Sequence, residues 1–259
     1  MSRSRTNRSE LRDQIAPLLR RLAFSQTAVR ICKESGDAKT ERFLVSVLLA
    51  ELENREKVRQ ARLLHEAAFP VYKTFEGYEF GNLKLPPALS RAELESTSFI
   101  EEKRNLVLYG PVGTGKTHLA IALGVAACAR GRRVRFFTAA QLVVRLSEAF
   151  ASGTLEKLLR TILKADLLII DEWGYVPVDR QGAQLLFRVV SDSYERRSLI
   201  LTTNLEFSKW GSIFTDDQMA AAMIDRLAHH GHIILFEGES YRMKHALMRQ
   251  KTLQKVPTG

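Results

Sequence analysis

The chain has 259 residues, of which 45% are hydrophobic, so it is long enough for one large domain or for a core domain with a smaller appendage. Its 39 Lys and Arg residues outnumber its 29 Asp and Glu residues, and the formal charge of +10 favours a polyanionic partner, nucleic acid before an anionic membrane surface. Its two cysteines, Cys32 and Cys128, form no C-x-x-C pair, which argues against a disulfide framework and favours a reducing, cytoplasmic setting.

Residues 1–69 predict a small all-helical N-terminal domain. The basic residues at the start of the chain are not followed by an apolar segment, so they do not form a secretory signal. Apolar residues recur every three or four positions over residues 11–22, and a longer helix is predicted over residues 40–64, ended by Pro70. The aliphatic run at 43–50 is too short to span a bilayer. Such a domain suits binding of DNA or of a protein partner, and it is equally compatible with a plain helical bundle.

Residues 70–98 predict a linker that straps onto the domain that follows it. Its aromatic residues alternate with glycine and proline, and they are Tyr72, Phe75, Tyr78 and Phe80. Aromatic side chains in a linker usually pack on a neighbouring domain, because this removes their large apolar surface from water. A stacking platform for a nucleobase is the alternative.

A phosphate-binding loop is predicted at residues 110–117. The segment reads G-P-V-G-T-G-K-T and satisfies the pattern G-x-x-x-x-G-K-[ST]. It lies between an apolar run that predicts a buried strand and a segment that predicts a helix, and backbone N–H groups at such a helix start bind anions. Lys116 is expected to contact the outer phosphates and the Thr117 hydroxyl to face Mg²⁺. The predicted nucleotide-binding residues are Gly110, Pro111, Val112, Gly113, Thr114, Gly115, Lys116, Thr117 and His118.

The domain predicted for residues 99–259 alternates strands with helices. Strands are predicted at residues 105–109, 133–138, 167–171, 199–203 and 233–236, and helices at 117–130, 139–151, 155–164, 182–194 and 216–229. Five strands connected by helices predict an α/β fold, with a five-stranded parallel sheet covered on both faces. Ligands of such sheets gather at the carboxyl ends of the strands.

Two acidic residues end the apolar strand predicted at 167–171. Asp171 at the strand tip is suited to hold a Mg²⁺-bound water, and Glu172 is placed to orient or deprotonate an attacking water. A water-activating carboxylate predicts hydrolysis of a nucleoside triphosphate rather than phosphoryl transfer to a small metabolite. We therefore predict that Lys116, Asp171 and Glu172 are catalytic and that Thr117 and Asp171 face the metal.

Two further residues complete the predicted catalytic set. Asn204 ends the fourth strand, where its amide can contact the γ-phosphate or the attacking water, and capping of the next turn is the alternative. Arg226 lies too far round the domain to serve its own phosphate loop, so we predict an arginine finger that acts on the nucleotide of a neighbouring subunit. An ordinary surface pair with Asp225 is the competing interpretation. Three nearby histidines fit no zinc pattern and are predicted to be structural: His229, His230 and His232.

The chain resembles the AAA+ ATPases of the initiator and helicase-loader clade, and more closely the IstB-type ATP-binding proteins of insertion sequences. The resemblance covers roughly residues 40–245. Its matching stretches are N-L-V-L-Y-G-P-V-G-T-G-K-T-H-L-A (105–120), L-L-I-I-D-E-W-G-Y-V-P (167–177), Y-E-R-R-S-L-I-L-T-T-N (194–204), A-A-M-I-D-R-L (221–227), G-E-S-Y-R (238–242) and K-T-F-E-G-Y-E-F (73–80). The chain departs from the family pattern in two places: Val112 stands where a second proline is usual, and Asp192 and Ser193 precede Tyr194 where a basic residue is expected.

The resemblance implies a transposition helper of the bacterial cytoplasm that uses ATP and Mg²⁺. Such a protein forms homo-oligomers on duplex target DNA with nucleotide at the subunit interfaces, and it recruits and stimulates its cognate transposase. The resemblance also implies that the N-terminal domain handles DNA or transposase. Because the chain extends only a short way past the fifth predicted strand, we expect it to lack the full C-terminal helical lid of larger AAA+ proteins, and Arg242 is expected to replace in part the nucleotide-sensing arginine of that lid.

The resemblance further suggests where DNA is contacted. The predicted helix at 155–164 occupies the place where this clade inserts an extra helix after the second strand. Basic residues in this region are therefore candidates for phosphate contacts, namely Arg145, Lys157, Arg160 and Lys164. The solvated face of amphipathic helices is an equally open interpretation.

Three other functions remain as alternatives. A DnaC-like replicative helicase loader shares all of the ATPase motifs. A DNA-binding adaptor that uses nucleotide as a static switch, without turnover, is disfavoured by Glu172 and Asn204. A kinase for a small metabolite is disfavoured by Glu172, Arg226 and the charge of +10.

Overall fold

A computed structural model describes residues 2–34, 36–175, 178–214, 216–238 and 240–241, and for residues 2–9, Lys33 and Ser212 it describes the backbone alone. The chain divides into two compact units, Met1–Arg62 and Leu63–Gly259. In the described part of the chain, no helix combines the length and the hydrophobicity that a membrane span requires.

The first unit is built from helices α1 (Ser2–Arg21), α2 (Gln26–Glu34) and the larger part of α3 (Ala38–Ala67). Helix α3 begins after Asp37, whose carboxylate accepts a hydrogen bond from the Thr40 backbone N–H at 2.8 Å. The buried carboxylate of Glu41 accepts from Arg12 Nε at 2.5 Å, which compensates the burial of its charge. The core of this unit consists of Ile15, Ala16, Leu18, Leu19, Leu22, Val29, Val45 and Leu48.

The second unit contains one sheet and its covering helices. In chain order its elements are β1 (Leu83–Lys84), α4 (Arg91–Ser96), β2 (Asn105–Tyr109), α5 (Lys116–Ala129), β3 (Val134–Thr138), α6 (Ala139–Ala151), α7 (Leu155–Ile162), β4 (Leu167–Asp171), α8 (Arg180–Ser193), β5 (Ser198–Thr203), α9 (Gly211–Phe214), α10 (Asp217–His229) and β6 (Gly231–Phe236).

The sheet has six strands in the order β1-β6-β2-β5-β4-β3, and all pairs are parallel except β1 with β6. The predicted α/β fold with five parallel strands is thus confirmed. The sixth strand, β1, lies in the segment predicted as a linker and was not predicted. It consists of two residues that pair with Phe236 and Leu235, and Lys84 Nζ lies 2.6 Å from Glu237 Oε1.

Apolar cores cover both faces of the sheet. In β2, Leu106 and Leu108 pack into one core together with residues of α5, whereas Val107 packs into a second core with residues of α6, α8 and α10. This alternation follows from the period of two in a strand, and burial on both faces explains why the strand sequences are continuously apolar. Strand β2 lies between β5 and β6, so the loop after it opens at the carboxyl edge in the middle of the sheet.

Candidate functional site

A cavity of about 490 Å³ lies at the carboxyl edge of the sheet. Its floor is the loop after β2, and the ends of β4 and β5 form one side. The segment before β1 forms another side. The lining residues include Val112, Gly113, Thr114, Gly115, Lys116, Thr117, His118, Glu172, Asn204 and Tyr241. This volume falls within the range of pockets that bind cofactor-sized ligands.

The loop of residues 110–117 wraps around the amino end of α5. Thr114 Oγ1 donates to the Pro111 carbonyl at 2.8 Å, and Lys116 Nζ donates to the carbonyls of Gly110 and Pro111 at 2.7 and 2.6 Å. Gly115 is the residue before the helix, so the first N–H groups of α5 and the positive end of its dipole face the cavity. This arrangement is suited to bind polyphosphate.

Two predicted metal-facing residues are in direct contact. Thr117 Oγ1 donates to Asp171 Oδ1 at 2.9 Å, and Asp171 is buried with 4% of its surface exposed. Hydroxyl and carboxylate oxygens are the hard ligands that Mg²⁺ prefers. Two protein oxygens fill only part of an octahedral Mg²⁺ shell, and a nucleotide's phosphate oxygens are suited to complete it. The donor set therefore fits Mg²⁺-nucleotide.

Glu172 follows β4 in a left-handed backbone conformation, with φ of 59°. Such a conformation costs a residue other than glycine about 1–2 kcal/mol and persists only where neighbouring contacts enforce it. The Glu172 backbone N–H donates to Thr202 Oγ1 at 3.0 Å, and its exposed side chain lines the same cavity as Lys116 and Asn204. Three predicted catalytic residues thus line one cavity, and Asp171 contacts it through Thr117.

The two tryptophans lie buried behind the turn that follows Glu172. Trp173 and Trp210 are 1% and 0% exposed, and their ring centroids are 5.6 Å apart. Trp173 Nε1 has no hydrogen-bond partner among the described residues. Because the two tryptophans pack beside this turn, their fluorescence emission reports on how the turn is packed.

The sequence did not identify the wall that residues before β1 contribute to the cavity. Its lining residues there are Val71, Lys73, Gly77, Tyr78, Glu79 and Asn82. The ring of Tyr78 packs against His118 at a centroid distance of 5.0 Å, and its hydroxyl donates to the Gly115 carbonyl at 3.5 Å. His118 Nε2 lies 2.9 Å from the Thr74 carbonyl oxygen. Burial raises the pKa of the Tyr78 phenol, which therefore stays protonated as a donor at neutral pH.

The segment after β6 closes over the loop at Gly113. The Tyr241 backbone N–H donates to the Gly113 carbonyl at 3.0 Å, and a Cβ atom added at position 113 would lie 2.1 Å from Ser240 Oγ. Gly113 also has a positive φ of 83°. Both observations require glycine at this position.

We expect Gly113→Ala to weaken ATP binding about tenfold or more, because the methyl group displaces the Ser240 segment as well as straining the loop. Gly153→Ala is the matched control, since φ is 68° there and an added Cβ would meet nothing within 4 Å. Equilibrium binding of a fluorescent ATP analogue measures the effect. Equal losses in the two variants would show that backbone strain alone, without the collision, accounts for the requirement.

Arg226 lies away from the cavity. It is in α10, and its carbonyl accepts from Nδ2 of Asn105, the first residue of β2, at 3.4 Å. The phosphate loop follows Tyr109, the last residue of β2. At 3.3 Å per residue, Tyr109 lies about 13 Å along the strand from Asn105. The guanidinium donates to the Ala222 carbonyl at 2.9 Å and lies 5.0 Å from the Phe187 ring centroid. Among the described residues it forms no ion pair with Asp225, which removes the support for the competing interpretation of a surface pair; the arginine finger stays a prediction.

The residues predicted to contact DNA are all exposed. Lys157 and Arg160 lie on α7 at a spacing of three residues, which places them on one side of the helix, and Lys164 lies in the turn that follows it. Arg145 lies on α6, with its guanidinium carbon 5.4 Å from the centroid of the Phe137 ring. Their role in binding DNA stays a prediction. Arg242, predicted to sense nucleotide, lies outside the described residues. So do residues 243–259, the rest of the segment in which a C-terminal lid would lie.

The sequence is similar to a family of ATP-binding proteins from bacterial insertion sequences. The family described as IstB-like ATP binding protein matches residues 18–249. An ATP-binding protein of insertion sequence IS5376 from Geobacillus stearothermophilus is 41% identical over 212 residues, which cover 82% of each chain. The ATP-binding protein of insertion sequence IS21 from Pseudomonas aeruginosa is 40% identical over 205 residues, covering 78% of this chain and 76% of the relative.

The fold is similar to that of replication initiators. The structure of AMPPCP-bound DnaA from Aquifex aeolicus aligns with a TM-score of 0.53 and 23% identity over 73% of this chain and 56% of that chain. Domain III of the Thermotoga maritima replication initiation protein DnaA aligns with a TM-score of 0.51 and 19% identity, covering 68% of this chain and 72% of that one. At these identities the similarity concerns the fold alone.

Proposed function

The chain belongs to the IstB-like ATP-binding protein family, and from that premise we propose that it is a Mg²⁺-dependent ATPase that assembles on duplex DNA as the transposition helper of an insertion sequence. The observation that carries the enzymatic part of the proposal is the convergence of Lys116, Glu172 and Asn204 on one cavity, with Asp171 bonded to Thr117 beside it. A site that bound nucleotide without turnover would not require a carboxylate at Glu172.

Each residue has a distinct role in the proposed hydrolysis. The loop N–H groups and Lys116 bind the phosphates and offset their charge. Thr117 and Asp171 would hold Mg²⁺, which would supply positive charge beside the phosphate oxygens. Glu172 accepts a proton from, or orients, the attacking water, and the Asn204 amide donates to the γ-phosphate or to the same water. The wall that contains Tyr78 is where the base and ribose would lie.

DNA binding and assembly are proposed from the charge and from the placement of Arg226. A chain with a formal charge of +10 is attracted to a polyanion, and exposed basic residues lie along α7. Because Arg226 cannot reach its own phosphate loop, we infer that it contacts the nucleotide of a neighbouring subunit in a head-to-tail assembly. Transposase is the proposed protein partner because the relatives are products of insertion sequences. The same genetic origin favours a transposition helper over a helicase loader.

The proposal is tested by the size of the purified protein with and without plasmid DNA and Mg²⁺-ATP, at two salt concentrations. We expect a large assembly that requires both ligands and weakens steeply with salt, because phosphate neutralisation releases counterions. A protein that stays monomeric with saturating ligands and releases no phosphate would contradict the proposal. Association with a replicative helicase, without stimulation of a transposase, would instead indicate a helicase loader.

We expect combined replacement of Lys157, Arg160 and Lys164 by alanine to reduce the salt dependence of DNA binding. Each lost phosphate contact lowers the slope of log K against log salt concentration by about 0.9, so the slope falls by about 2 to 3 per subunit. A control that removes equal charge elsewhere replaces Lys84, Arg91 and Lys209, which are exposed and paired with glutamates. An equal reduction in the control would show that overall charge, and not α7, determines DNA binding.

A further inference from the structure

One buried hydroxyl joins the two acidic residues at the end of β4. Thr202, in β5, donates its hydroxyl hydrogen to Asp171 Oδ1, and its oxygen accepts the backbone N–H of Glu172 at 3.0 Å. Only 2% of the Thr202 surface is exposed. A single side chain therefore contacts both the acid beside Thr117 and the residue that would activate water.

The chemistry of this contact requires a hydroxyl. Asp171 Oδ1 needs donors, and Thr117 supplies one and Thr202 the other. The Glu172 N–H needs an acceptor. A hydroxyl donates and accepts at the same time, whereas the isosteric valine does neither, so that valine at 202 would leave a buried carboxylate oxygen short of one donor and the Glu172 N–H without its acceptor.

The contact also accounts for the unusual backbone of Glu172. The left-handed conformation at this residue is enforced by bonds on both sides of it: the Glu172 N–H is held by the Thr202 side chain, and the Trp173 N–H donates to the Thr202 carbonyl at 2.8 Å. The second of these bonds is made by the main chain of residue 202 and does not depend on its side chain. Replacing the hydroxyl therefore loosens Glu172 while the turn itself stays attached to β5.

We propose that Thr202 is a positioning residue that sets the orientation of Asp171 and Glu172 together, so that metal binding and water activation depend on one hydroxyl. The inference rests on the proposed ATPase function and adds to it a residue at the cavity wall whose hydroxyl bonds to Asp171 and to the Glu172 N–H. Loss of the hydroxyl releases the Asp171 carboxylate and the Glu172 backbone from their shared contact, and a displacement of about 1 Å lowers a catalytic rate about a hundredfold.

The test compares Thr202→Val with Thr202→Ser and with Thr203→Val. The serine variant keeps the hydroxyl. Thr203 is the matched control because it is also 2% exposed and its hydroxyl makes two bonds, to the Trp173 carbonyl and from the Leu205 N–H, but touches neither acid. Emission of the chain's two tryptophans, which pack behind this turn, verifies that each variant is folded.

For Thr202→Val we expect kcat for ATP to fall about a hundredfold with KM within about threefold, whereas Thr202→Ser and Thr203→Val stay within about fivefold of the unchanged protein. A second measurement does not need turnover: the affinity for ATPγS is determined with and without Mg²⁺. Thr202→Val is expected to lose most of the gain in affinity that Mg²⁺ gives, and Thr203→Val to keep it.

The outcomes separate the two levels of the proposal. If the unchanged protein hydrolyses no ATP, the proposed function fails, and the Mg²⁺-dependent affinity still decides the role of Thr202. If Thr203→Val is impaired as much as Thr202→Val, or if serine fails to restore the activity and the Mg²⁺ response, Thr202 has only a structural role.

Discussion

Replacing Glu172 by glutamine is expected to lower the rate of ATP hydrolysis by about 10²–10⁴-fold, while the affinity for ATP stays within about threefold. The glutamine side chain has nearly the same shape but cannot accept a proton. Glu172 lines the cavity from a backbone position that its neighbours enforce, so the substitution changes chemistry rather than geometry. Single-turnover release of phosphate and equilibrium nucleotide binding measure the two effects separately.

Glu79→Gln is the matched control for this prediction. Glu79 is exposed and lines the same cavity from the segment before β1, so its substitution removes the same charge from the same space. We expect it to change the hydrolysis rate less than about threefold, because Glu79 belongs to the segment before β1 and not to the ends of β4 and β5 that carry the proposed catalytic residues. If the two variants lose activity equally, the electrostatic field of the cavity, and not a water-activating role, explains the effect of Glu172.

The Glu172→Gln variant should also remain assembled for longer. If ATP holds neighbouring subunits together on DNA, a variant that binds but does not hydrolyse it keeps them together. The lifetime of the complex after addition of excess competitor DNA is the measurement. A lifetime equal to that of the unchanged protein would separate assembly from hydrolysis.

The parallel sheet was predictable because its central strands β2, β5 and β4 are buried on both faces. Strands β2 and β4 have the predicted bounds, since both are apolar runs that end at a turn or at a charged residue. Strand β6 begins at Gly231, two residues before the prediction, because His232 continues the ladder opposite Leu106 despite being polar. Burial and the nearby charge of Arg104 lower the pKa of His232, so the imidazole is neutral in the fold.

The elements that the sequence did not predict are short or depend on distant partners. Strand β1 contains two residues and exists only by pairing with β6, some 150 residues later. Helix α4 was missed although its start carried a recognisable signal: Ser90 and Glu93 form a reciprocal capping box. A scan of the linker for that pattern would have found the helix.

Within the site, the sequence identified most of the residues that line the cavity and missed the contacts of Thr202 and Tyr78. The phosphate loop and Glu172 belong to local patterns that a linear sequence displays. Thr202 contacts Glu172, 30 residues away, and Tyr78 contacts Gly115, 37 residues away. No spacing pattern in the sequence predicts contacts over such distances. Threonine in a buried strand is ordinary in composition, and only the register of β5 against β4 reveals its bonds.

Replacing Arg226 by alanine is expected to lower ATP hydrolysis about 10³-fold in the assembled state and to leave nucleotide binding within about threefold. The reason is its location: at the opposite edge of the sheet from its own phosphate loop, its charge can stabilise only the transferred phosphoryl of a neighbouring subunit. Arg196→Ala provides a control, since Arg196 is exposed in the loop before β5, outside the cavity. It is expected to behave like the unchanged protein.

Mixing two inactive variants distinguishes a finger in trans from a role within one subunit. An Arg226→Ala subunit keeps Glu172, and a Glu172→Gln subunit keeps Arg226. An interface is therefore complete when the Arg226→Ala subunit supplies the nucleotide site and the Glu172→Gln subunit supplies the arginine finger. In an equimolar mixture about one quarter of head-to-tail interfaces have this arrangement, and hydrolysis should return in proportion. If the mixture stays inactive although both variants enter the same assemblies on DNA, Arg226 acts on its own subunit through the fold. Recovery of activity would mean that the nucleotide site is completed only when one copy of this chain docks on the next.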